Sequence, residues 1–148
     1  MELATIGQWQ FDMPEGWLRK DSESVDYFEE PGGTKGLYVK SIVLPQPKGS
    51  PSALAEYIQS VHLKGFNEAS GANWSVMERA IKEQHGLVRS VLDIYDAQAS
   101  YRVLSFVVCG TQQAIQVSVH DYACTDYSAT RNAFTPLASS IHNTQPMV

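Results

Sequence analysis

The chain has 148 residues, of which 43% are hydrophobic, and only two cysteines. That is enough apolar material for one domain spanning residues 1–148, with its own core and no metal or disulfide framework to support it. Net charge is -5, from 11 basic and 16 acidic side chains, and the densest basic piece is Arg19-Lys20. Nucleic-acid binding needs a basic face, so this balance argues against it.

Met1-Glu2-Leu3-Ala4 has neither the basic nor the apolar region of a leader. The longest apolar run, Phe106 to Cys109 with its neighbours, is too short to cross a bilayer. A soluble cytoplasmic protein without membrane insertion is expected.

Thr5 to Met13 alternates loosely and predicts a first strand. Pro14-Glu15-Gly16 then makes a tight exit, pinned by Trp17. Val25 to Glu29 predicts a second strand and Leu37 to Leu44 a third. The turn residues Pro31 to Gly36 join these two as a hairpin. After a loop from Pro45, Ser50-Pro51 marks a helix start, because serine accepts from free backbone N–H groups and proline fits the first helical position. Leu54, Tyr57, Ile58, Val61 and Phe66 then recur at helical spacing as a buried face, with Gly71 as a stop.

Trp74 to Glu83 and Leu87 to Tyr95 predict two more strands around a turn at His85-Gly86. Tyr101 to Cys109 is apolar on both faces, which places it centrally with cover on each side. Beyond the turn at Gly110-Thr111, Ile115, Val117 and Val119 alternate with Gln116, Ser118 and His120, as in a half-exposed strand. Such short connections favour an antiparallel meander. Thr125 or Asp126 caps a last helix with Tyr127, Thr130, Phe134, Leu137 and Ile141 as its buried stripe. Pro136 should kink or split that helix, and the tail from Asn143 to Val148 should fray. The fold class predicted is α+β: an antiparallel sheet of about six strands with two helices packed on its two sides.

No motif carries a reaction. Gly32-Gly33-Thr34-Lys35 has the wrong order for a phosphate loop and precedes a strand, so it reads as a hairpin loop. His62, His85, His120 and His142 show no i, i+4 pair and no H-E-x-x-H, so no metal is expected. His120 and Asp121 are adjacent on a strand, hence on opposite faces, and His120 reads as an outward polar residue. Cys124 near His120 has no visible means of lowering its pKa. Cys109 ends an apolar strand and reads as a small buried hydrophobe. Spacing leaves a disulfide between the two cysteines open. Asp93 and Asp96 flank Tyr95 and read as solvated caps. No catalytic residue and no cofactor are expected.

The acidic concentration is Glu23, Asp26, Glu29 and Glu30 around the first hairpin. Trp9, Tyr27, Tyr38 and Tyr122 are the aromatics to watch for exposure. Acids beside exposed aromatics make an interface, so Glu23, Asp26, Tyr27, Glu29, Glu30 and Tyr122 are the candidate partner-binding residues.

The opening Phe11-Asp12-Met13-Pro14-Glu15-Gly16-Trp17 resembles that of the PsbP-like superfamily, with its apolar-x-apolar-Pro-x-x-Trp pattern. The order hairpin, helix, antiparallel meander, final helix is similar as well. That superfamily includes DcrB-type proteins, the Ran-release factor and adaptor chaperones that accompany type VI secretion effectors. Val119 to Tyr127, running into the last helix, is similar to small bacterial immunity proteins of polymorphic toxin systems. These resemblances imply a bacterial protein-binding module rather than an enzyme. The leading expectation is an immunity protein that occludes the active site of a cognate toxin with its acidic, aromatic surface. The alternatives are an effector chaperone that takes an apolar segment in a groove, and an enzyme with an unrecognised site around His120, Asp121 and Cys124.

Overall fold

A computed structural model describes residues 1–20, 25–47, 49–69, 71, 73–84 and 87–145. Strands β1 (Glu2–Ile6) and β2 (Trp9–Met13) pair antiparallel, from Ile6 opposite Trp9 to Glu2 opposite Met13. The single strand expected over Thr5 to Met13 is therefore two. Gly7, at φ +58, supplies the left-handed backbone that reverses the chain. β3 (Leu18–Lys20) was not predicted; it is short and wholly exposed, so it carries no alternation to detect.

β4 (Asp26–Glu29) and β5 (Lys35–Val43) form the predicted hairpin. α1 (Pro51–Glu68) starts where serine and proline place it, with the Ser50 hydroxyl accepting from the Ala53 N–H at 3.1 Å. It ends at Glu68, before Gly71. β6 (Ser75–Gln84), β7 (Leu87–Asp96), β8 (Tyr101–Cys109) and β9 (Gln113–Asp121) form the antiparallel meander. The turn expected at His85-Gly86 lies outside the described residues.

α2 (Tyr127–Ser140) is capped by Asp126, whose carboxylate accepts from the Ala129 N–H at 3.0 Å. It runs unbroken through Pro136. β10 (His142–Asn143) then returns to pair with β2, so Asn143 is held in a ladder rather than frayed.

Among the described residues the strands make two sheets rather than the single one expected. A seven-stranded sheet runs β3-β4-β5-β9-β8-β7-β6, and a three-stranded sheet runs β1-β2-β10. Side-chain alternation divides the large sheet between two cores. Leu104, Phe106, Val108, Ile115, Val117 and Val119 face α2 and the small sheet, meeting Phe11, Phe134, Leu137 and Ile141. Val107, Cys109 and Ala114 face α1, meeting Leu54, Ala55 and Ile58. β8 is buried on both faces, as its composition predicted. Trp17 is buried too, edge-on to Phe134 with ring centroids 5.8 Å apart.

Two polar expectations are overturned. Asp93 and Asp96 are buried rather than solvated. Asp93 lies inward on β7 against the buried Arg102, while Asp96 accepts from the N–H groups of Gln98 and Ala99 in the turn. His120 is also buried, because Tyr101, Phe66 and Tyr38 close over its face of the sheet.

Candidate functional site

α1 lies chiefly over β8, β7 and β6 and reaches the β9 and β5 side of the same face less closely. This offset leaves a groove of about 810 Å³ between the helix and those two strands. Tyr57, Val61 and Phe66 of α1 form one wall, and Tyr38, Lys40 and Ile42 of β5 the other. Gln116, Ser118 and His120 of β9 make the floor. Tyr57 and Val61 were expected in the core, but they are 67% and 53% exposed. Leu54, Ala55 and Ile58 meet the sheet instead, and Tyr57 and Val61 sit on the adjacent stripe of the helix.

The floor is polar yet uncharged. His62 Nδ1 lies 3.1 Å from Gln116 Nε2 and 3.2 Å from the Ser105 hydroxyl. With the Gln116 amide donating, His62 Nδ1 accepts and its own proton sits on Nε2. Burial lowers the His62 pKa to about 4, and the Lys40 ammonium adds to the effect. Burial also lowers His120 to about 3, with His62 adding to it. The Tyr101 phenol donates to the neutral His120 Nδ1 at 2.5 Å, and burial raises that phenol to about 12.

An aromatic cluster closes one end. Phe66 stacks near His62 at 4.8 Å and meets Trp74 at 5.0 Å, and Trp74 meets Tyr101 at 5.0 Å. Tyr101 continues to Tyr122 at 5.2 Å, and the Tyr122 and Tyr38 hydroxyls bond at 2.8 Å. Tyr27 packs on Tyr38 with centroids 4.6 Å apart. It crosses β5 at Gly36, where a Cβ would stand 2.7 Å from Tyr27 Cε2 and 3.0 Å from the Tyr122 hydroxyl. Glycine is needed there for this close approach rather than for its backbone angles.

The predicted partner-binding residues divide between this cluster and their own ion pairs. Tyr27 and Tyr122 belong to the cluster, and Glu29 accepts from the Tyr27 hydroxyl at 3.3 Å. Asp26 pairs with Arg19, and Glu30 pairs with Lys35 at 3.6 Å and with the Thr34 hydroxyl. Glu23 lies outside the described residues. Of the aromatics to watch, Trp9 is buried in the core.

His120, Asp121 and Cys124 do not converge. His120 faces the groove, while Asp121 faces α2 and accepts from the Thr130 hydroxyl at 2.6 Å. Cys124 lies 3.9 Å from the same hydroxyl, and burial raises its thiol pKa. Both cysteines are free, and burial pushes Cys109 up to about 11. No group of His, Cys, Asp and Glu with metal-binding geometry occurs among the described residues. No helix among them is long and apolar enough to cross a membrane.

Reading the sequence missed the groove. One signal was present: α1 carries more large apolar residues than a single stripe needs, and the surplus lines the open wall.

No protein-family model matches the chain, and no curated protein does. Among solved structures, it is similar to the solution structure of cyanobacterial PsbP (CyanoP) from Synechocystis sp. PCC 6803. The two superpose with a TM-score of 0.73 over 96% of this chain and 91% of that one, at 16% sequence identity. The protein has a PsbP-like α+β fold.

Proposed function

We propose that this protein is a non-enzymatic binding module that holds an apolar segment of a protein partner in the groove between α1 and the sheet. An adaptor chaperone for a secreted effector would act in this way. The observation that supports this reading is the open wall of α1, where Tyr57 and Val61 remain 67% and 53% exposed beside an uncharged floor. Adjacent exposed apolar side chains over a concave surface are characteristic of a binding surface. The occupant would place apolar side chains against Tyr57, Val61 and Ile42. Its polar backbone or an aromatic hydroxyl would meet His62, Gln116 and Ser118.

The test is binding of a fluorescent leucine-rich peptide to the wild type and to the double variant Tyr57→Ser, Val61→Ser. Both positions are exposed, so the variant should fold as the wild type does. Each lost apolar contact weakens binding by about 1–2 kcal/mol, so a loss of roughly tenfold or more is expected. Unchanged affinity would remove the groove from the proposal.

The immunity reading draws support from the adjoining patch formed by Tyr27, Glu29 and Tyr122 with Tyr38, which it shares with the groove. An acidic, aromatic patch suits occlusion of a basic toxin active site. Asp26 and Glu30 support it less, since Arg19 and Lys35 already meet their charges. Glu29→Lys with Glu30→Lys should slow association with a cognate toxin at low salt. An unchanged on-rate would eliminate this surface.

A further inference from the structure

We infer that the segment held in the groove carries a carboxylate beside its apolar stretch, and that Lys40 is the residue that recognises it. This rests on the groove being the binding site and adds the sign of charge that the site selects. The chain as a whole is acidic, with 16 acidic against 11 basic residues, yet among the described residues no acidic side chain lines the groove. Among the described residues lining it, Lys40 is the one that is formally charged.

Its position on β5 is fixed by register, opposite Gln116 of β9 and on the same face as Tyr38 and Ile42. Arg19, Lys35, Lys64, Arg102 and Arg131 are all spent in ion pairs. Lys40 makes none among the described residues, and it is exposed. An unpaired ammonium at the rim of an apolar groove creates a local positive potential within a negative molecule. A low-dielectric wall on either side strengthens that potential. The floor supplies no opposing charge, because the imidazoles of His62 and His120, the amide of Gln116 and the hydroxyl of Ser118 carry no negative charge near pH 7. An apolar segment flanked by a carboxylate therefore satisfies both parts of the site, and one flanked by an ammonium meets repulsion.

The experiment uses two synthetic peptides with the same leucine-rich stretch, one flanked by glutamate and the other by lysine. Affinity is measured by fluorescence anisotropy in low salt. Wild type should prefer the glutamate peptide by about fivefold or more, Lys40→Gln should equalise the two, and Lys40→Glu should reverse the order. Lys40 is exposed, and circular dichroism of the variants confirms their fold. Equal binding of both peptides by the wild type would overturn the inference while leaving the groove as the site. Binding of neither peptide would overturn the groove reading with it. Saturable binding of palmitate with no binding of either peptide would also overturn it, by assigning the site to a small amphiphile.

Discussion

Arg102 has no exposed surface, yet its guanidinium is fully engaged. It donates to both oxygens of Asp93, at 3.0 and 2.7 Å, and to the Tyr127 carbonyl, and it stacks 3.3 Å from the centre of the Tyr127 ring. Asp93 also accepts from the Tyr127 hydroxyl at 2.6 Å and from Arg131 at 3.4 Å, and Arg131 is bonded in turn to Glu78. Removing one member of such a buried pair strands the other, so Asp93→Ala should cost about 3–5 kcal/mol in urea unfolding. Asp93→Leu combined with Arg102→Met should recover most of that loss, since an apolar pair of similar volume leaves no stranded charge. The two histidines of the groove make a second prediction. Both are held neutral in the fold, below the ordinary value of 6.5, so the unfolded chain binds more protons as pH falls. Their stabilising contribution is complete above about pH 7 and is lost as pH falls through 6.5 toward the folded values of about 4 and about 3. The unfolding free energy should fall between pH 7 and 5 by up to ~1.4 kcal/mol per pH unit for each histidine. His120→Asn should reduce that slope; an identical slope would show that His120 titrates normally. At this scale the sequence was only partly informative. Asp93 and Arg102 stand in the sequence among apolar strand residues, but their meeting depends on the register of β7 with β8, in which Tyr95 opposes Arg102 and Asp93 opposes Leu104.

The helices show which local signals can be read and which cannot. Capping is decided by neighbouring residues, so Ser50 and Asp126 were legible before any tertiary contact was known. Ser50→Ala should lower stability by about 1 kcal/mol through the loss of the bond to Ala53. The faces of α1 depend on how far the sheet extends beneath it, which its own periodicity does not encode. Gln59 illustrates this: it is fully buried, donating to the Val91 carbonyl at 3.1 Å and accepting from Arg79 Nε at 3.0 Å, so a polar residue occupies part of the helix face turned to the sheet. In α2 the proline rule predicted a kink or a split, and the helix is not split. Packing of Phe134, Leu137 and Ile141 into the main core outweighs the missing backbone donor. Pro136 is exposed, so Pro136→Ala should restore that donor and raise stability by about 1 kcal/mol or more in thermal unfolding.

Across the whole molecule, one core joins residues remote in sequence, from Ala4 and Phe11 to Leu137 and Ile141. The first hairpin buries its apolar face only against α2 and the large sheet, so it has no separate stability to lose. Phe11→Ala and Leu137→Ala should each cost about 2–5 kcal/mol and shift the urea midpoint without changing the slope. Tryptophan fluorescence and far-ultraviolet circular dichroism should report the same transition; separate transitions would mean that the hairpin melts independently. The order of elements was legible here, because turn residues, caps and alternation punctuate the chain in the right sequence. The division into two sheets was not, since it turns on the reversal at Gly7 that pairs β1 with β2 apart from the large sheet. The outer edge at β6 carries Glu78, Arg79, Lys82 and Glu83, charges that discourage edge-to-edge association.

The pairing of β10 with β2 also bears on how the protein is made. The ribosome synthesises Trp9 and Phe11 well before the residues that share their core, Leu137 and Ile141. A nascent chain stalled before α2 leaves its first hairpin apolar and uncovered, in the state that holdases and proteases recognise. Only a polypeptide translated through Ile141 can cover Trp9 and Phe11, so the burial of this hairpin waits on the last helix.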